Sequence, residues 1–127
     1  RPHIGGKVVV LVDSGSASAS EIVARALQLA GRAVILGDRT AGAVRAGNII
    51  SFADRAGSTV RPYVFQVTVA DILMADGQSL EGVGVLPDEV ILPSAVDLKF
   101  GRDPVLARAL ALCGVEVTPE AAGKLLK

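Results

Sequence analysis

The sequence predicts an α/β fold in which some strands pair parallel and others pair antiparallel. Two patterns carry this prediction. The first is a strand, a helix and a second strand within ~30 residues, which is a βαβ unit with a right-handed crossover. The second is a pair of strand-like segments joined by a short polar turn, which is typical of an antiparallel hairpin. The 127 residues are enough for one domain with one core.

The βαβ unit occupies the first third of the chain. Residues 7–12 form an apolar run of strand length, predicted to be buried on both faces. Residues 18–30 are predicted to be helical, and residues 33–37 form the next buried strand. The helix is expected to turn one set of side chains toward the core, namely Ile22, Val23, Ala26, Leu27 and Ala30. Its other face carries polar side chains, namely Glu21, Arg25 and Gln28.

The hairpin follows a glycine-rich loop at residues 38–47. Its strands are predicted at residues 48–53 and 59–70, joined by a turn at 54–58. In the second strand Tyr63, Phe65, Val67 and Val69 alternate with other residues and should share one apolar face. Pro62 indicates an edge position or a bulge, because proline cannot donate a ladder hydrogen bond.

The last third of the chain is predicted to be mostly helical. A short strand is expected at residues 89–92. Asp103 followed by Pro104 is typical of a helix start, and this helix should run to about Leu112. Thr118 begins a last short helix in the same way.

The composition excludes several classes of function. The formal net charge is zero, and the chain has three Phe, one Tyr and no Trp. We therefore expect no nucleic-acid partner, because no basic stretch is interleaved with stacking aromatics. No apolar run approaches the ~20 residues of a membrane span. Cys113 is the only cysteine, so no disulfide forms within the chain, and we expect it to be a small buried apolar residue.

Residues 13–22, DSGSASASEI, place four serines between the first strand and the helix. Ser18 and Glu21 have the spacing of a capping box. One interpretation is therefore that the serines serve only to build the turn and to cap the helix. The alternative is that Ser18 is a nucleophile. The N–H groups at a helix start are unpaired and can stabilise a developing oxyanion. The G-x-S-x-G pattern of α/β hydrolases is absent.

A nucleophilic serine requires a base within hydrogen-bond reach. His3 is the only histidine, and the extended strand between it and Ser18 should separate them by ~30 Å. Lys7 is excluded as the base for the same reason, because the strand should place it roughly 20 Å from Ser18. The local sequence therefore offers a position for a nucleophile and no evident base. The chain begins at Arg1 rather than Met, and we interpret it as a processed chain or a piece of a longer one.

Residues 15–42, GSASASEIVARALQLAGRAVILGDRTAG, strongly resemble the core motif of the C-terminal processing peptidases, also called tail-specific serine proteases. Residues 76–88, DGQSLEGVGVLPD, and the later GRDPVLARALAL are similar to further segments of that family. The resemblance covers nearly the whole chain. It implies the C-terminal half of a ClpP/crotonase-like spiral, with residues 1–127 as a partial catalytic domain. The upstream half and any PDZ domain would lie outside this chain.

The resemblance implies roles for individual residues. Ser18 matches the family's nucleophile, and the N–H of Ala19 matches one oxyanion-hole donor. A second donor would come from an upstream glycine. The family's lysine base lies in T-F-G-K-G, whereas this chain reads T-A-G-A-V, so Ala43 stands at the lysine position. No metal or cofactor is implied.

Relatives that resemble the tricorn core protease use an upstream histidine, oriented by a serine and a glutamate. Glu81, in LEGVGV, resembles that glutamate; the alternative is an exposed loop carboxylate. If this tricorn-like interpretation holds, the general base lies outside this chain.

Three functions stay open from the sequence. The first is a serine endopeptidase that is expected to act on the C-terminal regions of polypeptides, with this chain alone inactive. The second is a peptide-binding or scaffold relative without chemistry. The third is an acyl-CoA enzyme of the crotonase type, against which the serine-rich motif argues. We also expect self-association, because half of a spiral exposes apolar sheet surface. The resemblance places the protein in the bacterial cell envelope or periplasm.

Overall fold

The structure is a computed structural model and describes residues 5–125. It confirms the α/β prediction. Its strands and helices are, in chain order, β1 (Val9–Val12), α1 (Ala19–Leu29), β2 (Val34–Gly37), β3 (Arg45–Ala56), β4 (Thr59–Asp71), β5 (Glu89–Val90), α2 (Ala95–Phe100), α3 (Pro104–Leu112) and α4 (Pro119–Ala122).

The βαβ unit is formed by β1, α1 and β2, whose strands pair in parallel from Val9↔Val34 to Val12↔Gly37. β5 joins the other edge of β2, giving the strand order β1-β2-β5. The prediction that β1 is buried on both faces is wrong at Leu11, which is 42% exposed. The reason is that Leu11 lines an open cavity at the carboxyl ends of the strands.

The core is small and joins α1 and β2 to two loops. Its buried residues are Val12, Ala24, Ile35, Val44, Leu80 and Val85. Partly buried side chains extend it, namely Val10, Ile22, Ala33, Ile72 and Met74. The loops around Val44 and around residues 80–85 are therefore held against the βαβ unit by apolar packing.

The predicted orientation of α1 is wrong at two positions. Val23, assigned to the core face, is 57% exposed, whereas Glu21, assigned to the polar face, is fully buried beside Ala24. The reason is local chemistry rather than hydropathy. Loop 40–43 presents hydrogen-bond donors to the first turn of α1, and these donors make burial of a carboxylate favourable.

The hairpin is longer than predicted. β3 and β4 pair antiparallel from Arg45↔Asp71 to Ala56↔Thr59, with a register shift between Ala46 and Gly47. The edge position predicted for Pro62 is confirmed, because both strands of this two-stranded sheet are edges. Apart from the partly buried Ala46, every residue of β3 and β4 is exposed.

The C-terminal helices begin where the sequence predicts. The Asp103 carboxylate accepts a hydrogen bond from the Leu106 N–H at 2.8 Å, and Pro104 is the first residue of α3. Helix α2 was not predicted, although Ser94 and Asp97 form a capping box at its start. The expected burial of Cys113 is wrong, because this residue caps the end of α3 and is exposed. No helix within residues 5–125 is long and apolar enough to span a membrane.

Candidate active site

The turn between β1 and α1 holds Ser18 in an unusual backbone conformation. Ser18 has φ 59° and ψ −122°, and it is the only residue other than glycine with positive φ in the range 5–125. Such a conformation is costly for a residue with a Cβ, and it persists only where surrounding contacts enforce it. A strained, exposed serine on a strand-to-helix turn is the geometry of a nucleophile elbow.

Two neighbouring serines use their hydroxyls to build this turn. The Ser16 hydroxyl donates to Asp13 Oδ1 at 3.0 Å and accepts from the Asp13 N–H at 3.2 Å. The Ser20 hydroxyl donates to the carbonyl oxygen of Ala17 at 2.7 Å. The interpretation of the cluster as turn chemistry therefore holds for Ser16 and Ser20.

The start of α1 leaves backbone donors open beside Ser18. The N–H groups of Glu21 and Ile22 donate to the carbonyl oxygen of Ser18, at 3.0 and 3.2 Å. For the N–H of Ala19, residues 5–125 supply no acceptor. An unpaired N–H next to the serine is what an oxyanion hole requires, and the positive end of the helix dipole adds to its effect.

Glu21 connects this turn to loop 40–43, and we call the set of Ser18, Glu21, Thr40, Gly42 and Ala43 the Glu21 junction. Glu21 Oε1 accepts from Thr40 Oγ1 at 2.5 Å and from the Gly42 N–H at 2.8 Å. Glu21 Oε2 accepts from the Ala43 N–H at 3.0 Å and from the Ser18 N–H at 2.9 Å. The last bond confirms the carboxylate half of the predicted capping box.

These hydrogen bonds keep Glu21 ionised although it is buried. Burial acts to raise the pKa of Glu21, but the hydrogen bond from Thr40 and those from three backbone N–H groups favour the charged form. Their combined effect is larger, so the pKa of Glu21 lies below its ordinary value of 4.5. The junction therefore carries a fixed negative charge at neutral pH.

The junction brings position 43 next to Ser18. Because the N–H groups of both residues donate to the same oxygen atom, their nitrogens are no farther apart than the two bond lengths together. Gly42 has φ 69°, and a Cβ there would lie 2.9 Å from the backbone nitrogen of Gly84. Only glycine fits this position, so the loop is locked against residues 82–84.

Glu81 binds the two residues that directly follow this loop. Its Oε2 accepts from the Val44 N–H at 2.7 Å, and its Oε1 lies 3.2 Å from Arg45 Nε. The side chain is 29% exposed. No hydrogen bond within residues 5–125 joins Glu81 to the Ser18 turn. Glu81 instead binds residues 44 and 45, which directly follow the loop that Glu21 binds.

Comparisons with known proteins agree with this architecture. The family model described as peptidase family S41 matches residues 1–91. The chain belongs to this family. It is 37% identical over 102 residues to the carboxy-terminal-processing protease of Bartonella bacilliformis, covering 80% of this chain and 22% of that protein. It is 40% identical over 90 residues to the chloroplastic carboxyl-terminal-processing peptidase 3 of Arabidopsis thaliana, covering 71% and 16%.

A solved structure supports the fold. Mature CPAF in complex with lactacystin aligns with a TM-score of 0.58 at 23% identity, covering 74% of this chain and 17% of that one. This similarity concerns the fold alone. The S41 chain described here spans about a fifth of the length of the curated relatives it matches.

A cavity of about 480 Å³ lies near the turn, at the carboxyl ends of β1, β2 and β5. Asp13, Ser14 and Ser16 line it, together with Asp38 and Arg102. Ser18 is not among the lining residues. Parallel sheets commonly bind ligands at this edge, and in this S41 chain Ser16, two residues before Ser18, lines the cavity.

Within residues 5–125, turn 13–18 has no hydrogen bond to a residue type that commonly serves as the base of a serine nucleophile. The hydrogen bonds of turn 13–18 involve no lysine or histidine among residues 5–125. His3 lies outside the described residues. Ala43 occupies the position beside Ser18 and has no group that accepts a proton.

Glu21 is the residue that the sequence analysis missed. The spacing Ser18-x-x-Glu21 identified it as a cap, but hydropathy assigned it to the solvent face. Its burial depends on donors that lie 19 to 22 positions along the chain. Two features of the sequence together could have predicted its burial. One is a glutamate in a capping box, and the other is a glycine-rich loop whose backbone N–H groups are not needed for a helix or a strand.

Proposed function

We propose that this chain is part of the catalytic domain of a serine-type endopeptidase of the C-terminal processing type, with Ser18 as nucleophile. The observation that carries the proposal is the strained, exposed Ser18 at the start of α1, beside the unpaired N–H of Ala19. Membership of family S41 supports it.

The reaction follows from these groups. The Ser18 hydroxyl oxygen attacks the carbonyl carbon of a peptide bond while a general base takes its proton. The carbonyl oxygen becomes an oxyanion and accepts a hydrogen bond from the Ala19 N–H. Collapse of the tetrahedral intermediate expels the amine, which takes up a proton, and leaves an acyl-enzyme on Ser18. Water then hydrolyses this ester and restores the serine.

Glu21 contributes by positioning rather than by proton transfer. Its carboxylate binds the Ser18 N–H and the Ala43 N–H through one oxygen atom. It thereby fixes the nucleophile relative to the loop that carries position 43. A charged group with four donors already bound has little basicity left, so we assign no acid–base role to Glu21.

The base belongs outside this chain in our proposal, because Ala43 replaces the lysine of related peptidases. An upstream histidine oriented by Glu81, as in tricorn-like relatives, is the arrangement we favour. Glu81 is partly exposed and one carboxylate oxygen contacts only Arg45 at 3.2 Å, which leaves it capacity for a further donor. The second oxyanion donor would also lie upstream, so the 127-residue chain alone should not turn over peptides.

The substrate in this proposal is a polypeptide, cleaved in its C-terminal region. The similarity to carboxy-terminal-processing proteases supports this substrate class. For the same reason we propose a location in the bacterial cell envelope or periplasm, which cell fractionation with an antibody to this chain would test. We further propose that the chain self-associates.

A fluorophosphonate probe on the full-length protein tests the nucleophile. The probe should label the wild-type protein, and Ser18→Ala should abolish labelling. Ser20→Ala is the matched control, because its hydroxyl only caps the turn through Ala17. Absence of labelling in a folded wild-type protein would favour the second candidate, a peptide-binding relative without chemistry, which the missing base at Ala43 supports.

Substitution of Ala43 by lysine tests the origin of the base. The junction places position 43 beside Ser18, so Ala43→Lys should supply a local amine and accelerate labelling about tenfold or more in a protein that lacks a base. Ala41→Lys is the control, because Ala41 is also exposed on this loop but its N–H donates to the Ser16 carbonyl oxygen, whereas Ala43 shares a Glu21 oxygen with Ser18. If an upstream histidine already acts as the base for Ser18, Ala43→Lys should not accelerate labelling. Substitution of each upstream histidine in turn would then identify the base.

A further inference from the structure

Thr40 lies in the core although its side chain is polar. It is 4% exposed, and within residues 5–125 it and Glu21 are the only buried residues with polar or charged side chains. The two bind each other, because Thr40 Oγ1 donates to Glu21 Oε1 at 2.5 Å. Burying a hydroxyl is costly unless it is hydrogen-bonded, so the partners of Thr40 show what its burial achieves.

The Thr40 hydroxyl binds partners from two different segments of the chain. Its proton points to Glu21, because an ionised carboxylate can only accept hydrogen bonds. Its oxygen accepts from the Val85 N–H at 2.6 Å, and the Thr40 N–H donates in return to the Val85 carbonyl oxygen at 3.2 Å. The orientation of the hydroxyl is therefore fixed by the backbone of Val85 on one side and by Glu21 on the other.

Segment 82–85 packs closely against Thr40. A Cβ at Gly84 would lie 2.4 Å from the Thr40 carbonyl oxygen and 3.0 Å from Thr40 Oγ1, so the two backbones are nearly in contact. The Gly82 N–H also donates to the Gly42 carbonyl oxygen at 2.7 Å. Protein interiors this closely packed resist displacement, so segment 82–85 is a firm support for the Thr40 hydroxyl.

The Glu21 carboxylate connects this support to Ser18. One of its oxygens accepts from Thr40, and the other accepts from the Ser18 N–H at 2.9 Å. Because a carboxylate group is planar and rigid, a bond that fixes one oxygen restricts the other. Burial acts to raise the pKa of Glu21, and among the contributions that lower this pKa the hydrogen bond from Thr40 is the largest.

We propose that Thr40 is a positioning residue for the nucleophile, and that its hydroxyl fixes the Ser18 backbone by holding Glu21 against segment 82–85. Its effect on the reaction rests on the function proposed for Ser18, whereas its effect on the turn does not. The hydroxyl, rather than the methyl group, carries this role. Serine supplies the same donor and acceptor, whereas valine has the shape of threonine and supplies neither.

Fluorophosphonate labelling of the full-length protein tests the effect on the reaction. Rates at several probe concentrations separate binding of the probe from the covalent step. Thr40→Val should slow the covalent step about tenfold or more and leave probe binding within about threefold, because the nucleophile is misplaced while the site remains. Thr40→Ser should stay within about threefold of the wild-type protein in both quantities.

Ile35→Val is the matched control for a loss of stability. Ile35 is buried in the same core, and its substitution weakens packing without removing a hydrogen bond of the junction. Its covalent step should stay within about twofold of wild type. The proposal is overturned if Thr40→Val is labelled at the wild-type rate, if Ile35→Val is slowed as much, or if Thr40→Ser is slowed as much.

Thr40→Cys keeps the test decisive if Thr40→Val does not fold. A thiol donates and accepts at the same position as the hydroxyl, but both of its hydrogen bonds are weaker. The covalent step of Thr40→Cys should therefore be about threefold or more slower than that of Thr40→Ser. Equal rates for the cysteine and serine variants would contradict a role that depends on these hydrogen bonds.

Hydrogen exchange of the Ser18 N–H tests the effect on the turn, whether or not Ser18 reacts. In the full-length protein, measured by mass spectrometry with residue-level fragmentation, Thr40→Val should speed this exchange about fivefold or more and Thr40→Ser less than about twofold. The Leu106 N–H, which the Asp103 carboxylate binds in α3, is the internal reference and should not change. A wild-type protein that the probe does not label would contradict the function proposed for Ser18 alone. Unchanged exchange of Ser18 in Thr40→Val would overturn the role of Thr40.

Discussion

The Glu21 junction and the β3–β4 hairpin are two regions of this chain that are stabilised in opposite ways. The junction encloses a charged carboxylate among four hydrogen bonds, and its central side chain is fully buried. The hairpin pairs the backbone groups that face between its two strands and leaves its apolar side chains exposed. Polar groups make the buried region specific, whereas apolar groups are presented at the surface. A chain with a small core has thus placed its most constrained contacts where the proposed chemistry occurs.

The largest expected effect comes from removing the Glu21 carboxylate from the junction. Glu21→Ala removes the acceptor of four hydrogen bonds and leaves buried donors unpaired, so the free energy of unfolding should fall by about 3–5 kcal/mol. Urea denaturation followed by circular dichroism measures this change. Glu116→Gln is the control, because Glu116 is exposed and its loss should cost less than about 0.5 kcal/mol. Similar losses in both variants would show that the junction is not the stabilising feature described.

A pair of glycines compares the two regions directly. Gly42 in the junction and Gly57 in the hairpin loop both have positive φ, of 69° and 65°. At Gly42 a Cβ meets backbone atoms of residues 82–84, whereas at Gly57 it meets nothing within 4 Å. Gly57→Ala should therefore cost about 1 kcal/mol from backbone strain alone, and Gly42→Ala about 2–3 kcal/mol from strain and overlap. Thermal unfolding of the two variants gives the comparison, and equal costs would contradict the tight contact.

The smallest expected effect is a change in acid sensitivity. The pKa of Glu21 is lowered in the folded protein, so its contribution to stability is fully present above about 4.5 and is lost as the pH falls through the folded-state value. Glu21→Gln should flatten the dependence of unfolding free energy on pH below about 5, because the other carboxylates titrate equally in both proteins. Denaturant titrations at several acidic pH values measure the slope. An unchanged slope would mean that Glu21 does not titrate differently on folding.

The sequence predicted what depends on local pattern. Residues 7–37 form a βαβ unit because an apolar run, an amphipathic segment and a second apolar run follow one another closely. The position of Ser18 at a helix start followed from the capping box, and the role proposed for it came from the resemblance of the surrounding motif. The structure adds the backbone strain at Ser18, which no sequence pattern specifies.

What the sequence did not predict depends on contacts distant along the chain. Glu21 appeared to be a surface residue, because its donors belong to a loop about 20 residues away. Leu11 appeared to be buried, because a parallel strand normally is, but an open cavity lies beside it. α2 was overlooked, because six residues with one capping box give little periodicity to detect.

The carboxylate of Glu21 is balanced by hydroxyl and amide dipoles, and no cation within residues 5–125 contributes to it. Dissolved ions screen attraction between exposed charges, but they have little influence on short hydrogen bonds in a region that excludes water. Surface ion pairs such as Arg108 with Glu89 should weaken in concentrated salt. The backbone conformation at the proposed nucleophile should therefore not depend on salt concentration, and Ser18 should have the same geometry in concentrated salt and in dilute buffer.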